Sequence, residues 1–499
     1  MTSSRPSLTR LCAVGTVVAT LAAATACARH APQPPTASAP TSTAAPAPAV
    51  IPEVTPTGDF SPVSRLIEDA IAARRLPGAV VQVGHAGKIV FRQAFGSRKL
   101  AGEPGPDGAP APAEPMTEDT LFDLASLTKN IATTTAVMQL HEQGKVRFDE
   151  PVQTYLPAFN PTGDPRRAQV TLRMLLTHTS GIAGDLSLDG PWGLAEADKA
   201  EGIRRALAAW VVFEPGELFH YSDINFIILG ALLEKITGEP EDVYVRAKVF
   251  APLGMSDTRY LPAAKACGPH QIRGTAIAPD VHGPEVSRCP AGTWSTDLLG
   301  RIAPTALDED TPHLNPDYGH PLRGTVHDPT ARRMGGVSGS AGVFTTVHDM
   351  GLYAQGLLDR LAGRPSAFPL TQASVETMTT PQQPGHHAGQ IEAANATEIV
   401  SRTTDSLLAP HYPAIPGQDL RGFGWDIDSA HSRPRGARFP VGSFGHTGFT
   451  GVTVWLDPGS DTYVIVLANV IHQRGGPPIA TLSGEVATEA ARALHLYGS

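Results

Sequence analysis

Lysine is nearly missing from this 499-residue chain: 8 of its 39 basic residues are lysine and 31 are arginine. Cysteine is scarcer, with four, and no two of them make a C-x-x-C pair. That argues against a thiolate zinc or redox site. Positive charge is in deficit, 39 against 48, for a net charge of −9. A nucleic-acid binder would need a basic stripe instead. No apolar run reaches the ~18 residues of a membrane-spanning helix. The zinc-hydrolase pattern H-E-x-x-H is absent, since His141-Glu142 has no second histidine. Hydrophobic residues make up 41% and charged residues 17%, a globular composition with ample material for a large core.

The first acidic residue is Glu53. Before it come Arg5 and Arg10, then an apolar run from Leu11 to Ala26. A basic start, a short apolar stretch and small residues at its end describe an export signal over 1–26. Ala24-Thr25-Ala26-Cys27 resembles the bacterial lipoprotein signal, in which the cysteine is lipidated and becomes residue one, although the usual leucine three places earlier is absent. Plain cleavage after Ala26 fits the same residues. Residues 27–57 hold the lipid-anchor candidate Cys27 and an Ala/Pro/Thr/Ser linker that cannot build a core. The expected location is the cell envelope, with membrane contact only through that anchor. In an oxidising compartment the two cysteines outside this region, Cys267 and Cys289, are expected to pair.

Residues 58–499 read as one catalytic domain with two lobes. Val63, Leu66, Ile67, Ala70 and Ile71 have helical spacing, which predicts a helix over 62–75 closed by Pro77-Gly78. Residues 79–85 and 89–95 predict a hairpin, and so do 451–457 and 462–468 around Asp457-Pro458-Gly459-Ser460. Leu482, Val486, Ala490 and Ala493 mark a C-terminal helix. Segment 126–260 is mostly helical, whereas 101–117 and 261–333 read as loops. The fold class is therefore α/β of the α+β kind: an antiparallel sheet from both termini, flanked by helices, with a helical lobe inserted.

Ser126-Leu127-Thr128-Lys129 precedes the helical run Ile131–Gln143. Residues at i and i+3 share a helix face, so Lys129 can reach the Ser126 hydroxyl. A helix N-terminus favours developing negative charge there. Of eight lysines only Lys129 has a serine three places earlier. Alone, the motif reads equally as an N-cap serine beside a surface lysine. Two further stretches change that balance: Tyr221-Ser222-Asp223 before an apolar helix, and His446-Thr447-Gly448 before the C-terminal hairpin.

In this order and spacing, S-x-x-K, Y-x-N and K/H-T-G resemble the motifs of the penicillin-recognising serine hydrolases, in the class C β-lactamase-like branch that holds D,D-peptidases and esterases. Leu175–Gly181, Pro252–Met255 with Asp257-Thr258, and Gly335–Gly342 match that branch too. The resemblance covers roughly 60–475. It implies that Ser126 forms an acyl-enzyme, that Lys129 accepts or relays its proton, and that Tyr221 passes it to the leaving group. It places an oxyanion hole at the Ser126 and Phe449 amides and substrate contacts at His446, Thr447 and Gly448. It implies no cofactor and no metal. His178, in a loop motif, reads as structural.

Two departures stand out. Asp223 replaces the usual asparagine; it can cap the helix, or its charge can hold Lys129 protonated. His446 replaces the usual lysine and is mostly neutral at pH 7. Both count against an efficient β-lactamase and leave an esterase or a D,D-carboxypeptidase-like enzyme acting on a small molecule or a peptidoglycan-derived peptide. The alternative is a non-catalytic homologue that binds cell-wall peptides. Nothing in the sequence sets an oligomeric state.

Overall fold

The computed structural model describes residues 54–499 apart from 56, 106–107, 281, 284–285, 287, 405–410, 473–478 and 499. The expected signal over 1–26, Cys27, and the linker up to 53 lie outside the described residues. Eight antiparallel strands form the main sheet: β1 (Gly78–His85), β2 (Lys88–Lys99), β3 (Glu114–Pro115), β4 (Leu420–Arg421), β5 (Asp426–Asp428), β6 (Phe444–Gly448), β7 (Val452–Asp457) and β8 (Thr462–Ala468). Their spatial order is β4-β5-β6-β7-β8-β1-β2-β3. The N-terminal and C-terminal hairpins meet at β1 and β8, in a register that pairs Ala79 with Ala468 and Val83 with Val464.

Both faces of this sheet are covered, and the period of two sorts the side chains between them. Val81, Val83, Val464 and Val466 face one core, closed by the terminal helices Ser61–Ala72 and Ile479–Ala493 through Val63, Ile67, Leu482 and Val486. Val80, Val454, Ile465 and Leu467 face the other, larger core, shared with the inserted lobe. The first helix ends at Ala72, short of the expected 75, because Arg74 turns left-handed at φ 56°.

The lobe between β3 and β4 is mainly helical, and its longest apolar helix, Asp223–Thr237, is buried along most of its length. Residues 261–333, expected to be irregular, carry short pairings: Ala266–Cys267 runs parallel to Trp294–Ser295, and His270–Arg273 forms a hairpin with Ala276–Pro279. A disulfide joins Cys267 to Cys289, with Cα atoms 5.7 Å apart. No helix among the described residues is long and apolar enough to cross a membrane.

Candidate active site

Ser126 follows a sharp backbone turn. Ala125 sits at φ 44°, a strained position for a residue with a β-carbon. The buried carboxylate of Asp123 holds it there, accepting the Ala125 N–H at 2.9 Å and the His327 N–H at 2.7 Å. The chain then enters a helix at once. Its opening stretch, Lys129–Thr134, is a π turn, and Thr135–Glu142 continues as α-helix. Such turns are frequent at functional sites; this one carries Lys129 and Thr133.

Lys129 is fully buried. Its Nζ donates to Ser126 Oγ at 2.9 Å and to the Ser340 carbonyl at 2.9 Å, and pairs with Asp223 Oδ1 at 2.7 Å. Two hydrogen bonds and one ion pair thus surround the ammonium. Burial disfavours the charge, but the Asp223 carboxylate opposes it, and Lys129 is pushed above its usual range. That direction favours the charged form of Lys129 at rest. Asp223 does not cap its helix. Ser222 does, its Oγ accepting the Asn225 N–H at 3.3 Å, which frees the Asp223 carboxylate for Lys129.

Tyr221 stands one residue before that cap. Its buried hydroxyl has no formed hydrogen bond, yet it lies close enough to Ser126 and Lys129 to feel both. Burial raises its pKa against the pull of Lys129, so it rests as a neutral phenol. His178 stacks on one side of the ring at 4.3 Å and His431 on the other at 5.3 Å. His178 Nδ1 also accepts the Ser222 N–H at 3.0 Å, so it fixes both the ring and its backbone. Burial drives His178 well below its ordinary pKa, and it stays neutral in this supporting place.

The opposite wall is β6. His446 Nδ1 donates to the Thr447 carbonyl at 2.7 Å, which leaves Nε2 as an acceptor, 3.9 Å from Asp426 Oδ2. Burial pushes His446 down to about 3 despite Asp426, so it places no cation on β6. Gly448 is required by space: a β-carbon would come within 2.4 Å of the Leu124 carbonyl beside the nucleophile. Neither the Ser126 nor the Phe449 amide donates to a backbone carbonyl among the described residues. The Phe449 ring is 71% exposed and stacks on His327. Beside it opens a cleft of about 1110 Å³, walled by apolar Leu307, Phe449 and Ile479 and by charged Asp310, Arg332 and the exposed Arg433.

The structure thus brings Ser126, Lys129, Tyr221 and Asp223 together and sets His446, Thr447 and Gly448 on the facing strand, with Phe449 in the turn that follows. Sequence reading missed Asp123, His431 and the Ser340 carbonyl. Asp123 stands three residues before Ser126, and Ser340 lies in the glycine-rich stretch already singled out. His431 had no local signal. Among the described residues no cluster of three His, Cys, Asp or Glu side chains could hold a metal ion.

This fold and this serine–lysine–tyrosine cluster are those of a β-lactamase-like serine hydrolase. A family model described as β-lactamase matches residues 63–482, and the chain belongs to that family. It is 27% identical over 402 residues to an Escherichia coli K12 protein named "Putative D-alanyl-D-alanine carboxypeptidase", covering 78% of each chain. It is 28% identical over 422 residues to a Bacillus subtilis protein named N-acetylmuramyl-L-alanine amidase, covering 82% of this chain and 80% of that one. Among solved structures, simvastatin synthase from Aspergillus terreus superposes with a TM-score of 0.58 at 21% identity, over 89% of this chain and 100% of the other; at that identity the likeness concerns the fold.

Proposed function

We propose that this protein is an exported serine hydrolase that cleaves esters through an acyl-enzyme on Ser126. The observation that carries the reading is the Ser126–Lys129–Asp223 chain, 2.9 and 2.7 Å long, beneath the unbonded Tyr221 hydroxyl. Ser126 Oγ attacks the substrate carbonyl carbon. Its proton goes to Tyr221 Oη as the Tyr221 proton goes to the leaving oxygen, so no group has to be ionised as a base beforehand. The Lys129 ammonium stabilises the negative charge that develops on both oxygens. The Ser126 and Phe449 amides receive the oxyanion. Water then repeats the sequence in reverse, releasing the acid and restoring the serine. No cofactor enters.

Neutral His446 supports an ester without a free carboxylate. A second reading, a D,D-carboxypeptidase-like enzyme acting on peptidoglycan-derived peptides, is favoured by Arg433 on the cleft lining and by the names of the two bacterial relatives. Export and a place in the cell envelope rest on the 1–26 signal pattern and Cys27. The test is intact mass of residues 54–499 after mixing with an activated ester and, separately, with benzylpenicillin. Wild type should gain the acyl mass and Ser126→Ala should not, with ester turnover falling about 1,000-fold or more. Equal ester turnover by both proteins would defeat the reading and return the weight to a non-catalytic peptide binder. A penicillin adduct would favour the peptidase.

A further inference from the structure

Glu241 opens the short helix Glu241–Val245 and is 1% exposed. It touches none of the groups around Ser126, yet it stands where three elements of the site meet. Its Oε1 is 2.8 Å from Thr133 Oγ1, in the π turn that carries Lys129. Its Oε2 lies against Gly230 of the helix after Tyr221, where a β-carbon would come within 2.6 Å of it. Gly230 in turn packs on Gly339, whose nitrogen is 3.0 Å from the same position. The Gly339 carbonyl is 2.8 Å from Thr133 Oγ1. The next residue, Ser340, gives its carbonyl to Lys129.

The Thr133 hydroxyl owns one hydrogen, and two oxygens sit 2.8 Å from it. The Gly339 carbonyl can only accept. If Thr133 donates to Gly339, its contact with Glu241 is a hydrogen bond only when the carboxyl carries the proton. If Glu241 is ionised, Thr133 must turn to it, and Gly339 loses its donor. The Tyr260 hydroxyl donates to the Ser338 carbonyl at 3.1 Å and also stands near enough to Glu241 to favour its charged form, a pull that burial outweighs. The charged and titratable groups facing Glu241 are Lys199, Glu234 and Tyr260. Lys199 is paired with Glu234 at 2.5 Å, and Glu234 accepts the Glu241 N–H at 2.8 Å. Asp242, on the same short helix, is paired with Lys265. Burial exceeds the pull of Lys199 and pushes Glu241 up to about 7.

We infer that Glu241 is a positioning residue that works as a neutral acid: its O–H donates to Thr133, Thr133 donates to Gly339, and this relay holds the Ser340 carbonyl on Lys129. The inference rests on the acyl-enzyme reading of Ser126. Above neutral pH the proton leaves, Thr133 turns, and the support under Lys129 loosens. The substrate cleft is untouched, so kcat falls while KM stays.

The test is phenyl acetate hydrolysis from pH 5.5 to 8.5 by wild type, Glu241→Gln and Thr133→Val. Glutamine keeps a donor to Thr133 and cannot ionise. Wild-type kcat should fall about 3- to 10-fold over the alkaline half at constant KM, while Glu241→Gln should stay within about 3-fold of wild type at pH 6 and remain flat. Thr133→Val, which breaks the relay with little change of shape, should be slow and flat. A readout independent of catalysis is the infrared difference spectrum between pH 6 and 8.5. Wild type should show a protonated carboxyl that titrates and is missing in Glu241→Gln; if that variant does not fold, Thr133→Val should shift the same band. No such band at pH 6, or an alkaline limb that survives in Glu241→Gln, overturns the inference. A wild type that shows the band but turns over no ester defeats the hydrolase reading and still supports a neutral Glu241.

Discussion

The two walls of the cleft treat charge in opposite ways. On the lobe wall a buried ammonium donates to the nucleophile and to the Ser340 carbonyl and is ion-paired with Asp223. Two more carboxyls, Asp185 and Asp328, are pushed up by burial and by the charge of Asp223. On the sheet wall the titratable residue in β6 is a neutral histidine whose Nε2 has no hydrogen bond, and the turn after the strand carries the exposed Phe449 ring. Charge here prepares the serine, and β6 offers the substrate no cation. A carboxylate placed over Ser126 would meet the negative excess of the lobe wall with no compensating cation on β6.

The largest break in this comparison is Lys129→Met. It removes the bond to Ser126 and strands Asp223 beside two other acids. Ester kcat/KM should fall about 1,000-fold or more, read from initial rates. Lys129→Arg should not restore it, because a planar guanidinium cannot sit among Ser126, Ser340 and Asp223 as the compact ammonium does. A loss under about 10-fold would mean that the ammonium is a bystander.

A smaller effect separates a cation from a base. In Asp223→Asn the counter-charge is gone, and burial alone lowers the Lys129 pKa. The ammonium is then lost as pH rises through the lowered value. If the ammonium is the working form, the ratio of variant to wild-type kcat should drop about 10-fold between pH 6 and 9. If a neutral amine were the base, the same ratio would climb over that range.

Much of this was legible in the sequence, and the limits have physical causes. The two hairpins were readable because alternation of apolar residues is a local signal; that β1 pairs with β8, across more than 370 residues, followed only from both needing a partner. Ser126, Lys129 and Tyr221 were found because one short motif contains the first two and a family order supplied the third. The state of Lys129 was not readable. It depends on Asp223 lying 2.7 Å away, and the sequence left that residue between cap and counter-ion until Ser222 was seen to take the cap. His431 and Glu241 escaped because they act through contacts made by distant segments, stacking on Tyr221 and bridging Thr133 with Gly230. Residues 261–333 hid their short pairings because two to four residues carry too little periodicity to be seen.

The smallest expected effect concerns the sheet wall alone. His446→Lys would put a cation on β6, in a place where Asp426 Oδ2, 3.9 Å from the present Nε2, lacks a hydrogen bond. Part of the new charge would be drawn to Asp426, so the gain for a substrate carboxylate is partial. The measured quantity is the ratio of kcat/KM for a D-alanyl-D-alanine peptide to that for phenyl acetate. It should rise about 5-fold in His446→Lys, with the ester rate itself little changed, because Lys129, Tyr221 and the relay beneath them are untouched. If wild type already cleaves the peptide well and Arg433→Ala abolishes that activity while His446→Lys adds nothing, then the acid end of the substrate is held at the far lining of the cleft. The sheet wall would then be neutral because the charge it lacks is supplied by Arg433.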